Sequence, residues 1–165
     1  YEILKEKEYS IVRTKEEFEK IKNGKVWGIF TNADMSYEID RDAKEPSLSE
    51  MTKKAIEILS KNPNGFVLMV EGSKVDWAAH ANNPATIVRE IKAFDDAVGI
   101  ALSYAKLNNK TLLISSSDHG NSGISIGNKS TSGNYPQIPL DEFVSTIRNV
   151  NMGEEKLSKL IFEKK

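Results

Sequence analysis

Cysteine is absent from this chain of 165 residues, which excludes a disulfide scaffold and a metal site built from thiolates. Long apolar runs are also absent, because none reaches the roughly 18 residues that a membrane-spanning helix needs. The 23 basic and 24 acidic residues give a net charge of −1, so no basic excess is present to attract nucleic acid or hold a membrane. A hydrophobic content of 39% is typical of a globular chain with a core.

The start of the sequence has neither an initiator methionine nor a signal-peptide pattern, since the first residue is Tyr1. We therefore expect a mature or excised piece of a protein whose targeting information lies upstream. The absence of cysteine says little about the compartment.

Five segments have the apolar periodicity of helices. Thr14 is a candidate N-cap, and Ser47 with Glu50 three residues later forms a capping-box pattern. Pro84 stands at an early position of the longest segment, where proline is tolerated. The predicted helices are Lys15–Lys22, Ser47–Lys61, Pro84–Leu107, Asp141–Asn149 and Glu154–Lys164.

Three short apolar runs, bounded by turn residues, separate these segments and predict buried strands. The predicted strands are Val26–Phe30, Phe66–Val70 and Thr111–Ile114. This alternation predicts an α/β fold with a parallel sheet covered by helices on both faces. We expect one α/β domain over residues 1–165, in which residues 121–165 form a loop and surface helices.

Several candidate metal ligands follow the predicted strands. Glu71 comes directly after the second strand, and Asp118 and His119 follow the third. Because ligands bind beyond the carboxyl ends of parallel strands, these side chains fall where a site is expected. Taken alone, a loop aspartate that caps the next segment explains Asp118 equally well.

Asp76 and His80 are four residues apart, so a helical turn places them on one face, where one metal ion can bind both. Taken alone, the pair is more often a solvated aspartate and an ordinary histidine. Trp77, beside Asp76, either lines a substrate pocket or packs. Both histidines of the chain, His80 and His119, belong to these candidate pairs.

Other patterns favour structural roles. Asp95 and Asp96 lie within a predicted helix and are interpreted as a solvated pair. Ser115–Ser117 has no nucleophile elbow around it. The glycines between Gly120 and Gly133 match no nucleotide-binding loop.

Four stretches together resemble the alkaline phosphatase family: PSLSEMTKKAIEIL, GFVLMVEGSKVDWAAHANNP, FDDAVGIAL and TLLISSSDHGN. The combination of VEGSKVDWAAH with a distant DHG is specific to that family. The sulfatases and cofactor-independent phosphoglycerate mutases share a related metal core, but EGSKVDWAAH fits alkaline phosphatase better. The resemblance implies a three-layer α/β/α fold of which this chain is a part.

The resemblance also implies a centre with two zinc ions and one magnesium ion that hydrolyses phosphate monoesters. Asp76 and His80 would ligate the first zinc, Asp118 and His119 the second, and Glu71 the magnesium. Trp77 falls where the family varies, and there it would influence phosphate or magnesium contacts indirectly. The intact protein is expected to be periplasmic or secreted, and a homodimer is one possible assembly.

The chain departs from the family pattern in ways that matter for catalysis. It contains no Asp-Ser-Ala sequence for the nucleophilic serine, and no histidine follows His119. The bridging aspartate, the magnesium-shell threonine and the phosphate-clamping arginine of the family are also missing. We therefore expect weak metal binding and negligible turnover by the isolated chain. Two alternatives remain: a phosphodiesterase or sulfatase of the same superfamily, and a non-catalytic α/β module.

Overall fold

A computed structural model describes residues 1–163, so Lys165 and the predicted helix end at Lys164 lie outside the described residues. The α-helices of the described chain are α1 (Glu2–Glu6), α2 (Lys15–Lys20), α3 (Leu48–Leu59), α4 (Ser73–His80), α5 (Pro84–Leu107), α6 (Leu140–Arg148) and α7 (Glu154–Phe162). The strands are β1 (Tyr9–Val12) and β2 (Lys25–Gly28). Within residues 1–163, no helix combines the length and the apolarity needed to cross a membrane.

The helices with clear start signals agree with the sequence prediction. Helix α5 has both predicted ends. At the start of α3, Ser47 Oγ accepts a hydrogen bond from Glu50 N at 3.2 Å, and Glu50 Oε2 accepts one from Ser47 N at 2.9 Å. Thr14 forms the same capping box with Glu17 at α2. Reciprocal bonds of this kind satisfy two backbone donors that a helix start otherwise leaves without partners.

The two strands pair in parallel, with Tyr9 opposite Lys25 and Val12 opposite Gly28. Helix α2 connects them, which makes a small βαβ unit and an α/β fold. The predicted strand Val26–Phe30 is thus confirmed with shifted bounds, but it is not buried, because Trp27 is exposed. Sequence analysis did not predict β1 or α1.

The strand predictions for Phe66–Val70 and Thr111–Ile114 are wrong, because neither segment is a strand in the structure. A strand requires a hydrogen-bonded ladder with a neighbour, and in the part of the chain that the structure describes the only ladder joins β1 and β2. Their alternate side chains are also solvent-exposed rather than buried. The exposed fractions are 96% for Val67, 83% for Met69, 83% for Leu112 and 76% for Ile114.

The described residues cluster in two compact units. The first comprises residues 1–36, 41–72 and 92–116, and the second comprises residues 37–40, 73–91 and 117–163. Helix α5 contributes its first turns to the second unit and the rest to the first.

In the first unit, charged side chains of α3 fasten it to α2. Lys54 Nζ donates to the carbonyl oxygens of Glu19 and Ile21, each at 3.2 Å, at the end of α2. A cation suits this position because the carbonyls at a helix end carry partial negative charge. Glu50 forms an ion pair with Lys15 at 2.6 Å.

A cavity of about 610 Å³ opens in the first unit. Its walls include α3, the later turns of α5, and the two segments that were predicted as strands. The buried residues Ile56 and Ala97 line it. The apolar side chains that the sequence pattern predicted for the core of a sheet therefore line this cavity instead.

In the second unit, the buried positions of α4 and α5 include the small residues Ala78, Ala79 and Ala85. Asp40 holds the start of α7, because both of its carboxylate oxygens accept from Gly153 N, at 3.0 and 3.2 Å. A carboxylate at a helix start is stabilising because the first amide groups there lack partners.

Candidate metal-binding site

Helix α4 has one buried face and one more exposed face. Ala78 and Ala79 are buried, whereas Trp77 and His80 are exposed and Asp76 is half-buried. Residues three and four apart share a helix face, so Asp76, Trp77 and His80 lie along one stripe of α4.

Asp76 and His80 are brought together as their spacing predicted. Asp76 Oδ2 lies 3.5 Å from His80 Nε2. Zinc bonds to carboxylate oxygen and imidazole nitrogen are about 2.0–2.2 Å long, so two ligand atoms on one tetrahedral ion lie about 3.3 Å apart. The pair therefore has the separation of two zinc ligands.

Asp118 and His119 form a second pair, with Asp118 Oδ2 3.4 Å from His119 Nε2. His119 Nδ1 lies 3.2 Å from the carbonyl oxygen of Gly120. The contact with Gly120 is a hydrogen bond when Nδ1 carries a proton, because a carbonyl can only accept. The other ring nitrogen, Nε2, is the one that faces the Asp118 carboxylate.

Two side-chain hydrogen bonds attach the segment after His119 to α4 and the residues that follow it. Asn121 Nδ2 donates to Asp76 Oδ1 at 2.7 Å, and Ser122 Oγ donates to Asn82 Oδ1 at 2.9 Å. Asn121 is two positions after His119, a backbone span of about 7 Å at most. The two candidate pairs therefore lie in one neighbourhood of the second unit.

The backbone around these contacts adopts left-handed conformations. Asn82 has φ +51° and Ser122 has φ +71°. At the end of α4, Asn82 N donates to Ala79 O and Asn83 N donates to Ala78 O, at 3.0 and 3.1 Å. This is a Schellman ending, in which asparagine is the usual substitute for glycine. The sequence alone did not single out Asn82, Asn121 or Ser122.

The ring of Trp77 contacts the ammonium group of Lys74. Lys74 Nζ lies 3.9 Å from the centroid of the Trp77 ring and 4.8 Å from that of Tyr37. A lysine over an indole face is attracted by the electron-rich ring. Whether Trp77 contacts a substrate stays a prediction, and neither Lys74 nor Tyr37 was predicted from the sequence.

Glu71 is exposed and belongs to the first unit, directly before Gly72. Its predicted role as a magnesium ligand stays a prediction. Among residues 1–163, no group of three or more histidine or carboxylate side chains is gathered closely enough to hold one metal ion. Each pair therefore offers two of the three or four protein ligands that a zinc site uses.

The structure also locates the acidic pair of α5. Asp95 and Asp96 are exposed, and Asp96 accepts a hydrogen bond from Lys92 Nζ at 2.6 Å. This confirms that they are a solvated pair.

Comparison with known proteins agrees with the resemblance. Residues 1–152 match the alkaline phosphatase family. Alkaline phosphatase 4 of Bacillus subtilis is 43% identical over 75% of this chain and 27% of the relative. Repressible alkaline phosphatase of Saccharomyces cerevisiae is 44% identical over 67% of this chain and 21% of the relative. The structure of Thermus thermophilus alkaline phosphatase superposes with a TM-score of 0.62 at 32% identity, over 66% of this chain and 24% of that one.

These matches, together with the α/β fold and the two carboxylate–imidazole pairs, define the class. The chain belongs to the alkaline phosphatase family. It spans only about a quarter of the length of the relatives that it matches.

Proposed function

We propose that this chain is the metal-binding portion of an alkaline phosphatase that hydrolyses phosphate monoesters through a zinc-activated serine outside this sequence. The observation that carries the proposal is the geometry of the two pairs, whose facing atoms are 3.5 and 3.4 Å apart. These separations match two ligands on one zinc ion. The family membership supports the same reaction class.

The proposed roles are those that the resemblance to the alkaline phosphatase family implies, and the donor atoms suit them. Asp76 and His80 hold the first zinc ion, and Asp118 and His119 hold the second. Glu71 is the magnesium ligand that the resemblance implies, and its carboxylate oxygens are donors that hard cations prefer. Metal ions bound there would neutralise charge on the phosphoryl group and lower the pKa of the attacking hydroxyl. Trp77, next to Asp76 in the sequence, would influence phosphate or magnesium contacts indirectly.

The same proposal extends to the domain, the compartment and the assembly of the intact protein. The chain is a single part of a larger three-layer α/β/α domain. The intact protein is periplasmic or secreted and acts on a phosphate monoester. A homodimer is one assembly that this proposal includes. Because each zinc pair supplies only two ligands, the isolated chain binds zinc weakly and does not turn over substrate.

A segment exchange tests the proposal. Residues 46–127 of this chain would replace the corresponding segment of Bacillus subtilis alkaline phosphatase 4, and hydrolysis of an aryl phosphate would be followed with zinc and magnesium present. We expect an active chimera. We expect Asp76→Ala or Asp118→Ala to lower the rate by at least about 100-fold, because metal ions supply several kcal/mol of charge stabilisation.

Asp95→Ala is the matched control, since Asp95 is an exposed carboxylate outside the proposed site. Its rate should stay within about two-fold of the unmutated chimera. An active chimera that tolerates Asp118→Ala would contradict the proposal. A measurable rate for the isolated chain that disappears in Asp118→Ala would contradict the placement of the nucleophile outside this sequence.

A further inference from the structure

Two aromatic rings of the second unit share one ammonium group. Lys74 Nζ lies 3.9 Å from the centroid of the Trp77 ring and 4.8 Å from that of the Tyr37 ring. The face of an aromatic ring is electron-rich and attracts a cation that lies within about 6 Å of its centroid. The Lys25 ammonium, by contrast, lies 5.7 Å from the ring of Tyr9. Tyr37 and Trp77 are therefore a pair of rings that together accept one cation.

The backbone around Tyr37 is restrained by two hydrogen bonds. Tyr37 O accepts from Asp40 N at 2.9 Å, and the next residue, Glu38, donates its backbone N–H to Glu90 Oε1 at 2.6 Å. Glu90 lies on α5 and is buried. A buried acceptor that loses its donor is destabilising, so this bond resists movement of the segment. The position of Tyr37 is therefore set before any ligand arrives.

The ring of Trp77 is both supported and accessible. Trp77 belongs to α4, which is anchored by its buried residues Ala78 and Ala79. Side chains carried by a packed helix hold their positions better than side chains on a loop. The Trp77 side chain nevertheless remains 43% exposed, so a solute can reach its ring without unfolding the helix.

The Lys74 ammonium is a weakly held occupant of these rings. A lysine side chain loses much rotamer freedom when it is fixed in one place, and its ammonium is strongly hydrated. The attraction between a cation and a ring is also weakest at exposed sites. Quaternary ammonium ions, whose methyl groups cover more of a ring face, are the ligands that clusters of aromatic rings bind.

We propose that Tyr37 and Trp77 form a binding site for a small organic ammonium ion of the quaternary class, and that Lys74 occupies this site when no ligand is bound. The ligand must displace the Lys74 ammonium from the two rings, so Lys74 competes with it. The site includes none of the side chains that are proposed as metal ligands. It is therefore a binding function beyond the proposed phosphatase role.

The fluorescence of Trp77 tests this proposal. The chain has two tryptophans, so Trp27→Phe leaves Trp77 as the single reporter. Choline chloride is added to this reporter chain and to the same chain with Lys74→Met, which keeps the side-chain length and removes the charge. Sodium chloride at the same ionic strength is the salt control. The alcohol 3,3-dimethylbutan-1-ol, which has the shape of choline without its charge, is the ligand control. Circular dichroism checks that each variant is folded.

We expect Lys74→Met to lower the choline concentration at half-saturation by about ten-fold, because the competing ammonium is gone. In the Lys74→Met chain, Tyr37→Leu should raise this midpoint by about five-fold, whereas Tyr37→Phe, which keeps the ring, should change it by less than about two-fold. The neutral alcohol should give no saturable change. Lys25→Met in the reporter chain removes one positive charge from another ring contact, and it should leave the midpoint within about two-fold.

Several results would overturn the inference. One is the absence of a saturable response to choline in the Lys74→Met chain, and another is an equal response to the neutral alcohol. An equal gain from Lys25→Met would assign the effect to net charge, and an equal loss from Tyr37→Phe and Tyr37→Leu would exclude the ring contact. A response to phosphatidylcholine vesicles without one to free choline would assign the surface to a membrane instead. No metal ion is added, so none of these results bears on the proposed function.

Discussion

Phe94 packs directly against the backbone of Gly72, at the residue that precedes α4. A β-carbon on Gly72 would lie 2.8 Å from Phe94 Cδ2 and 3.2 Å from Phe94 Cγ. Real side chains avoid such distances, so Gly72→Ala must displace the aromatic ring. We expect the variant to lose about 1–3 kcal/mol of unfolding free energy, the usual cost of overpacking. Urea denaturation followed by circular dichroism measures it.

Gly99 provides the matched control, because a β-carbon there would meet nothing within 4 Å. It lies inside α5, where alanine is favoured over glycine by about 1 kcal/mol. Gly99→Ala should therefore be neutral or stabilising. A Gly72→Ala variant as stable as Gly99→Ala would contradict the packing described for Phe94.

The parts of the fold that sequence predicted well depend on local chemistry. Ser47 and Glu50 cap α3 through bonds between residues three apart, and Pro84 begins α5 because its ring suits a helix start. The strand predictions for residues 66–70 and 111–114 were wrong because strand formation depends on partners elsewhere in the chain. Apolar periodicity describes a segment's own faces, but a strand exists only when a neighbour supplies the ladder.

The capping box at α3 should make a measurable contribution to stability. Ser47 Oγ accepts from Glu50 N, so Ser47→Ala leaves that donor without its partner. We expect a loss of about 1 kcal/mol in thermal or urea unfolding. Ser103→Ala is the control, because Ser103 is an exposed serine whose hydroxyl bonds back to Gly99 O within α5. Such a bond adds little, and equal losses in the two variants would exclude a capping contribution.

Glu50 should also make the stability depend on pH. Partial burial raises the pKa of this carboxyl, but hydrogen bonds from Lys15 and Ser47 outweigh it, so the pKa lies below the usual value of 4.5. A depressed pKa contributes stability above the unfolded-state value, and that contribution is lost as the pH falls through the folded-state value. The unmutated chain should be more stable than Glu50→Gln near neutral pH.

The pH dependence of the stability difference between the unmutated chain and Glu50→Gln tests the direction of this effect. Below about pH 4, where carboxyl groups become protonated, the advantage over Glu50→Gln should shrink toward zero. Lys92→Met removes the exposed ion pair with Asp96 and serves as the control. A difference between the unmutated chain and Glu50→Gln that stays constant from neutral to acidic pH would exclude the ionised Glu50 interaction.

In the candidate site, as in the fold, the sequence predicted the contact between residues that are close along the chain and missed the contact between distant ones. Helical spacing predicted that Asp76 and His80 meet, and they do at 3.5 Å. No pattern in the sequence predicts that Asn121 bonds to Asp76, because 45 residues separate them. That contact depends on where the loop after residue 116 runs, and a loop rich in glycine, serine and asparagine has many accessible paths.

Exposed apolar side chains along the cavity of the first unit predict self-association. Val67, Met69, Leu112 and Ile114 are 76–96% exposed, and the residues between them line the cavity. Contiguous apolar surface and backbone without ladder partners both favour pairing with another chain. We expect size-exclusion chromatography to show species larger than a monomer, in amounts that grow with protein concentration.

Lysine substitutions test whether this surface causes the association, rather than exposed apolar residues in general. Val67→Lys places a charge in the cavity wall and should shift the chain toward the monomer, because charged residues discourage pairing between strand-like edges. Ile3→Lys is the matched control, since Ile3 is an exposed apolar residue of α1 that does not line the cavity. It should leave the association unchanged. A clean monomer for the unmutated chain at high concentration, or equal dissociation by both substitutions, would contradict association through the cavity surface.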